Sequence, residues 1–187
     1  MSNICCHSCL NTVVPERWPR LELRAFLLEQ LEREAASSRK VLERVPEGQN
    51  SWKPHERSME LGYLAALVAT MPGWPEFMIT KDQIDLNGAE QNMRTQAVET
   101  RAELLRALDD GLAKSREALQ NTTDAHLNGT WRLLMGENVL AEGPRYKMIA
   151  DGALSHMAHH RGQLTVYLRL NEAKVPAIYG PSADEWH

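Results

Sequence analysis

His156 and His160 stand four residues apart in the run His156-Met-Ala-His-His160-Arg-Gly-Gln163. On a helix, positions i and i+4 share one face with Cβ atoms roughly 5–6 Å apart, so both imidazoles can reach one cation. Neutral imidazole is a common ligand for zinc, nickel, iron and copper, and the pair therefore reads as half of a divalent-metal site. A buried, hydrogen-bonded histidine pair that only fills space has the same spacing, so spacing leaves both readings open. Arg161 has two readings as well. Its guanidinium can orient an anionic substrate, or it can hold the C-terminal tail through Asp184 or Glu185. Gln163 is placed to hydrogen-bond the second nitrogen of a histidine, as groups behind metal ligands do. Gly162 costs about 1 kcal/mol relative to alanine inside a helix, which suggests the close approach of another backbone.

All three cysteines, Cys5, Cys6 and Cys9, fall in the first ten residues. That crowding cannot supply a disulfide framework for the rest of the chain. Cys6 and Cys9 form a C-x-x-C pair with His7 between them, a pattern compatible with zinc. With no second C-x-x-C, the plainer reading is a tail carrying reduced thiols. No serine–histidine–acid set or activated cysteine is recognisable.

The elements that must position the histidines are helical. Leu23, Phe26, Leu27, Leu31, Ala35, Leu42 and Val45 recur at helical spacing and predict a first helix over residues 20–44, ended by Pro46-Glu-Gly48. Ser58 is expected to cap a second helix over 59–71, dense in leucine and alanine, with Pro72-Gly73 breaking it and a turn or two following over 74–81. The polar stretch 82–94 reads as a loop, and a third helix is expected over 95–120. Residues 131–140 carry a possible short hairpin around Gly136. Pro144 suits the first turn of a fourth helix running to Leu170, where Ile149, Ala153, His156, His160, Leu164 and Tyr167 make one inward stripe. Trp52, Trp74, Trp131 and Tyr179 are candidates to line a pocket at one end. Four long helical patterns without sustained strands predict an all-α four-helix bundle, one domain over residues 19–187 behind a flexible tail of residues 1–18.

Composition agrees with one globular domain: 187 residues, 43% hydrophobic and 25% charged. A net charge of -4 argues against nucleic acid, because neutralising phosphates needs a basic surface. The longest apolar stretch, residues 61–71, is about half the ~20 residues of a membrane span. No basic-then-apolar leader opens the chain, so a cytoplasmic protein away from membranes is expected.

The stretch His156 to Leu164, then Tyr167-Leu-Arg169, then Val175-Pro176 through Tyr179-Gly-Pro-Ser-Ala-Asp184, resembles the closing motif of the DinB-like family. Trp52-Lys-Pro-His-Glu-Arg-Ser58-Met-Glu-Leu-Gly62 is similar to that family's entry into helix two. The resemblance implies a four-helix bundle with a long crossover connection, often a homodimer, and a divalent metal on three histidines. Two of these come from helix four and one from helix two. Some relatives are metal-dependent transferases or isomerases acting on small thiols. By that pattern the helix-two histidine belongs where Leu67 stands, and leucine has no lone pair to offer. Tyr63, one turn earlier, is a reluctant ligand with a phenol pKa near ~10. Glu60 is roughly 10 Å away along the axis, His55 precedes the helix, and His126 has no assigned place. The expected site is therefore partial: His156 and His160 on a weakly held zinc or nickel ion or on no metal at all, with Tyr63, Arg161 and Gln163 as substrate-facing or supporting groups. Two functions remain. One is metal-assisted transfer or isomerisation of a small thiol-linked substrate. The other is a non-catalytic, small-molecule-binding or dimeric bundle that has lost its third ligand.

Overall fold

The computed structural model describes residues 22–88, 98 and 100–185. The predicted tail, residues 1–18, and the predicted start of the third helix at Thr95 lie outside those residues.

Helix α1 spans Leu23–Leu42 and buries Leu27, Leu31, Ala35, Val41 and Leu42, the periodic positions of the sequence. No side chain of its own caps it. Instead the carboxylate of Asp124, a hundred residues later, accepts from the backbone N–H groups of Leu23 and Arg24 at 2.9 and 3.0 Å. These are the donors that a helix start leaves free.

Helix α2 spans Leu61–Thr70 and is buried on nearly every side. It begins two residues later than expected, and Ser58 does not cap it. The backbone carbonyls of Trp52 and Asn50 accept from Leu61 N and Gly62 N at 2.8 and 2.9 Å, so the loop itself satisfies that end. A 3-10 turn at Met71–Gly73 leads into helix α3, Trp74–Thr80. Helix α4, Arg101–Asn121, opens with a reciprocal capping box between Thr100 and Glu103. Its Gly111 lies against Gly73, and a methyl added at Gly111 would sit 2.9 Å from the Gly73 nitrogen. The close backbone approach is here rather than at Gly162, where an added methyl meets open space.

The all-α expectation is overturned by a three-stranded mixed sheet. Strand β1, Gln83–Asp85, pairs in parallel with β2, Thr130–Met135, and β2 pairs antiparallel with β3, Asn138–Pro144. The hairpin around Gly136 is present and longer than the sequence suggested. Its third strand falls in a segment read as loop, because three residues with one buried member, Ile84, are too few to display alternation. Asp85 ties the two parts: its Oδ1 accepts from Asn87 N and Gly136 N, each at 2.9 Å. Trp131 projects from β2 into the core and is 1% exposed. The chain is therefore a mixed helix-and-sheet domain.

Between α4 and β2 lies the short helix α5, Asp124–Leu127. After β3 the chain enters α6, Arg145–Met148, then a π-helical segment, Ile149–Ser155, then α7, His156–Leu170. Two core clusters result. One joins the first half of α1 to Leu67, Met71, Trp131 and the π segment; the other joins the end of α1 to α2 and to Leu164, Tyr167 and Leu168 of α7.

Candidate functional site

The π segment ends where the histidines begin. Wider turns of this kind shift the face that following residues present, and they recur beside functional sites. An uninterrupted helix would keep Ile149, Ala153, His156 and His160 on one inward stripe. In the structure Ile149, Ala153 and His160 are buried, while His156 is exposed to solvent. The pair thus sits at a rim, with one ring inside and one outside.

The two Nε2 atoms are 2.8 Å apart, and the ring centroids 4.6 Å. His160 Nδ1 lies 2.8 Å from Gln163 Oε1. An amide oxygen can only accept, so Nδ1 carries the proton and His160 Nε2 keeps its lone pair. His156 Nε2–H then donates to that lone pair. Burial pushes the His160 pKa below its ordinary value, the hydrogen bond to Gln163 opposes the shift, and the neighbouring His156 and His159 add to it. The neutral, coordinating form is favoured near neutral pH. Trp74 of α3 packs edge-on against His156 at 5.6 Å between centroids.

These residues fit a divalent ion as two of its ligands. At metal–nitrogen distances of ~2.0–2.1 Å, nitrogens 2.8 Å apart subtend ~86° at the ion, close to neighbouring positions of a six-coordinate or square site. A tetrahedral ion needs them ~3.3 Å apart, a shift that the exposed His156 ring can supply. Among the described residues no group of three or more histidine, cysteine, aspartate or glutamate side chains is placed to hold a metal ion.

The other candidates divide. Leu67 is 8% exposed and belongs to the apolar cluster that includes Met157 and, at its margin, Trp74. Tyr63 is 39% exposed on α2. His55 is a loop residue whose Nδ1 accepts from Arg57 N at 3.1 Å. His126 donates from Nε2 to the Ile79 carbonyl at 2.9 Å and lines an open groove of about 520 Å³ between α3, α4 and α5.

Arg161 is not free to meet a substrate. It is 1% exposed and donates to the Glu34 carbonyl at 2.8 Å, to Ser38 Oγ at 3.2 Å and to Glu34 Oε2 at 2.5 Å. It also bonds the Tyr179 hydroxyl, which in turn donates to Glu34 Oε2 at 2.5 Å. Arg161 does hold the tail, but through Tyr179. Asp184 is taken by Arg169 at 2.5 Å and Glu185 by Arg44. Sequence reasoning missed Glu34, although a carboxylate on the apolar stripe of α1 beside Leu31 and Ala35 was a usable signal. The four large aromatics do not share a pocket. Trp52 packs edge-on against Tyr167, Trp74 against His156, Trp131 is core, and Tyr179 belongs to the tail.

Comparison with known proteins bears on the family and the fold. A sequence model described as the DinB family matches residues 22–187. A DinB-like protein of Bacillus cereus ATCC 10987 superposes with a TM-score of 0.63 at 20% identity, over 82% of this chain and 95% of that one. The DinB-like protein YjoA of Bacillus subtilis superposes with a TM-score of 0.61 at 19% identity, over 83% of this chain and 99% of its own. Among curated proteins, the uncharacterized protein YrdA of Bacillus subtilis (strain 168) is 52% identical over 33 residues, which are 18% of this chain and 20% of that relative's length. No helix of the described residues is long and apolar enough to cross a membrane.

Proposed function

The chain belongs to the DinB family, and we propose that it binds a divalent metal, zinc or nickel, through Nε2 of His156 and His160, and that the site acts on a small thiol-linked substrate by transfer or isomerisation. The observation that carries this reading is the pair of Nε2 atoms 2.8 Å apart at a solvent-exposed rim, with His160 held from behind by Gln163.

A bound divalent ion would lower the pKa of a coordinated thiol or water and so generate a nucleophile near neutral pH. Gln163 fixes the tautomer of His160 and aims its lone pair outward. His156 must move its proton from Nε2 to Nδ1 to coordinate, and its exposure leaves Nδ1 open to solvent. Trp74 walls one side of the His156 ring and limits how far it swings.

By the family resemblance Leu67 occupies the third ligand's position, so the site is partial and binds weakly. The competing reading is a non-catalytic small-molecule-binding or dimeric bundle, and a specific observation favours it: the two nitrogens are already satisfied by each other through one N–H···N hydrogen bond. Equilibrium titration with Zn²⁺ and Ni²⁺ separates the two. One ion per chain, lost in His156→Ala/His160→Ala, supports the metal site. Equal binding by the variant supports the hydrogen-bonded pair.

A further inference from the structure

Glu34 uses one oxygen of its carboxylate and keeps the other. Oε2 accepts from Arg161 Nη2 and from the Tyr179 hydroxyl, each at 2.5 Å, whereas Oε1 accepts no hydrogen bond among the described residues. Arg33 Nε stays 3.8 Å from Oε1, beyond hydrogen-bond reach. The Glu34 side chain is 9% exposed, and a carboxylate oxygen left open in such a place has to meet water or a ligand. It forms part of the wall of a cavity of about 230 Å³ between α1 and the chain running from the π segment into α7.

Both walls follow from helical spacing. Phe26, Gln30 and Glu34 stand four apart on α1 and share one face, and Ala150, Leu154 and Ala158 stand four apart on the opposite side. The two alanines keep the space open, since a longer side chain at either would occupy it. Tyr179 of the tail lines a further side, anchored through its hydroxyl. The histidine pair and Gln163 are not among the walls, so the cavity is separate from the proposed metal site. Gln30 Oε1 is taken by Arg33, which leaves the amide N–H groups of Gln30 without a partner among the described residues. An acceptor on Glu34 and a donor on Gln30 therefore lie one helical turn apart, beside walls that are mainly apolar and aromatic.

These walls select a ligand by charge, polarity and size. An anion would face Glu34, and a cation would face Arg161 and Arg33, which flank the same carboxylate. A neutral hydroxyl both donates and accepts, so it can serve Glu34 Oε1 and Gln30 Nε2 at once. The volume lies below the ~300–1,000 Å³ of sites for drug-sized ligands and suits a single ring. We propose that this cavity binds a small neutral ring carrying a hydroxyl, a phenol in the simplest case. The hydroxyl donates to Glu34 Oε1 and accepts from Gln30 Nε2, and the ring lies among Phe26, Leu154 and Tyr179. This is a second ligand site, and it does not depend on the metal reading above.

Methyl NMR of the full-length protein during a phenol titration tests this at Ala150, Leu154 and Ala158. Phenol is expected to shift these signals saturably, with a Kd on the order of 1 mM, as a ligand of that size allows. Toluene, which has the same shape without the hydroxyl, should bind about 10-fold more weakly, and benzoate should leave the signals unmoved. Gln30→Leu should erase the preference for phenol over toluene. Ala158→Leu should fill the cavity and abolish the response at Ala150 and Leu154, with circular dichroism checking that each variant is folded. Where the larger side chain at 158 unsettles the fold, Gln30→Leu alone decides. Signals that phenol leaves unmoved overturn the inference, and so do toluene or benzoate acting on the same methyls as strongly as phenol. A phenol preference unchanged in Gln30→Leu, or a response that persists in folded Ala158→Leu, overturns it as well.

Discussion

Arg161 and Glu34, 127 positions apart, form an ion pair in the core, with Nη2 and Oε2 at 2.5 Å and the two side chains 1% and 9% exposed. The pair fastens α7 to α1 one residue beyond His160, and the Tyr179 hydroxyl joins it from the C-terminal tail. A charge left alone in such a place is costly. Glu34→Ala or Arg161→Ala should therefore each lower stability by about 3–5 kcal/mol in urea unfolding, whereas Glu34→Leu/Arg161→Met should lose far less than the sum. Additive losses would mean that the two groups do not act as a pair.

Gly162 and Gly111 predict opposite outcomes for the same substitution. Gly162 is an exposed helical residue with open space around it, so Gly162→Ala should raise stability by about 1 kcal/mol. Gly111→Ala drives a methyl to 2.9 Å from the Gly73 nitrogen and should destabilise, because the neighbour there is main chain and cannot move aside. Thermal midpoints of the two variants decide the matter.

Gln163 holds His160 through the ring nitrogen that faces away from His156. Gln163→Leu removes the acceptor for Nδ1–H and should reduce Zn²⁺ affinity between about 10- and 100-fold with the fold unchanged. Calorimetric titration beside a circular-dichroism spectrum reads both quantities. An unchanged affinity would mean that His160 is oriented by its packing alone.

The tail should release in acid. Arg169, and then the Val175 N–H, hold the Asp184 carboxyl below its usual range, and the Ala177 N–H, and then Arg44, do so for Glu185. Groups with depressed pKa values contribute above their free values, near ~4, and lose that contribution as pH falls through the lowered ones. Amide signals of Val175 and Ala177 should accordingly stay constant from neutral pH to about 5 and move below ~4. Movement near pH 6 instead would implicate a histidine.

Much of this architecture was legible from spacing. The boundaries of α1 and the C-terminal end of α7 fall within a few residues of where periodicity put them, because their buried leucines repeat over several turns. The histidine run and the motifs that follow it carry the resemblance to the DinB family in the sequence itself. What escaped the sequence was non-local or short. Strand β1 has one inward residue, and its partner lies about fifty positions later. Asp124 caps a helix a hundred residues away, so no local pattern at α1 announces it. The π segment turns His156 to the rim, and the lone glycine within it, Gly152, is too weak a breaker to announce the wider turn. For Arg161 the sequence offers an anionic substrate or the tail carboxylates Asp184 and Glu185, whereas its partner is Glu34, a buried carboxylate on α1 127 positions away.

The central claim is that both imidazole Nε2 atoms take one divalent ion, and ring-nitrogen NMR during a Zn²⁺ titration tests it most directly. The account predicts that the Nε2 signals of His156 and His160 shift together to metal-bound positions while His160 Nδ1 stays protonated against Gln163. Signals of both rings unmoved at saturating Zn²⁺, with only His55 or His159 responding, would contradict it.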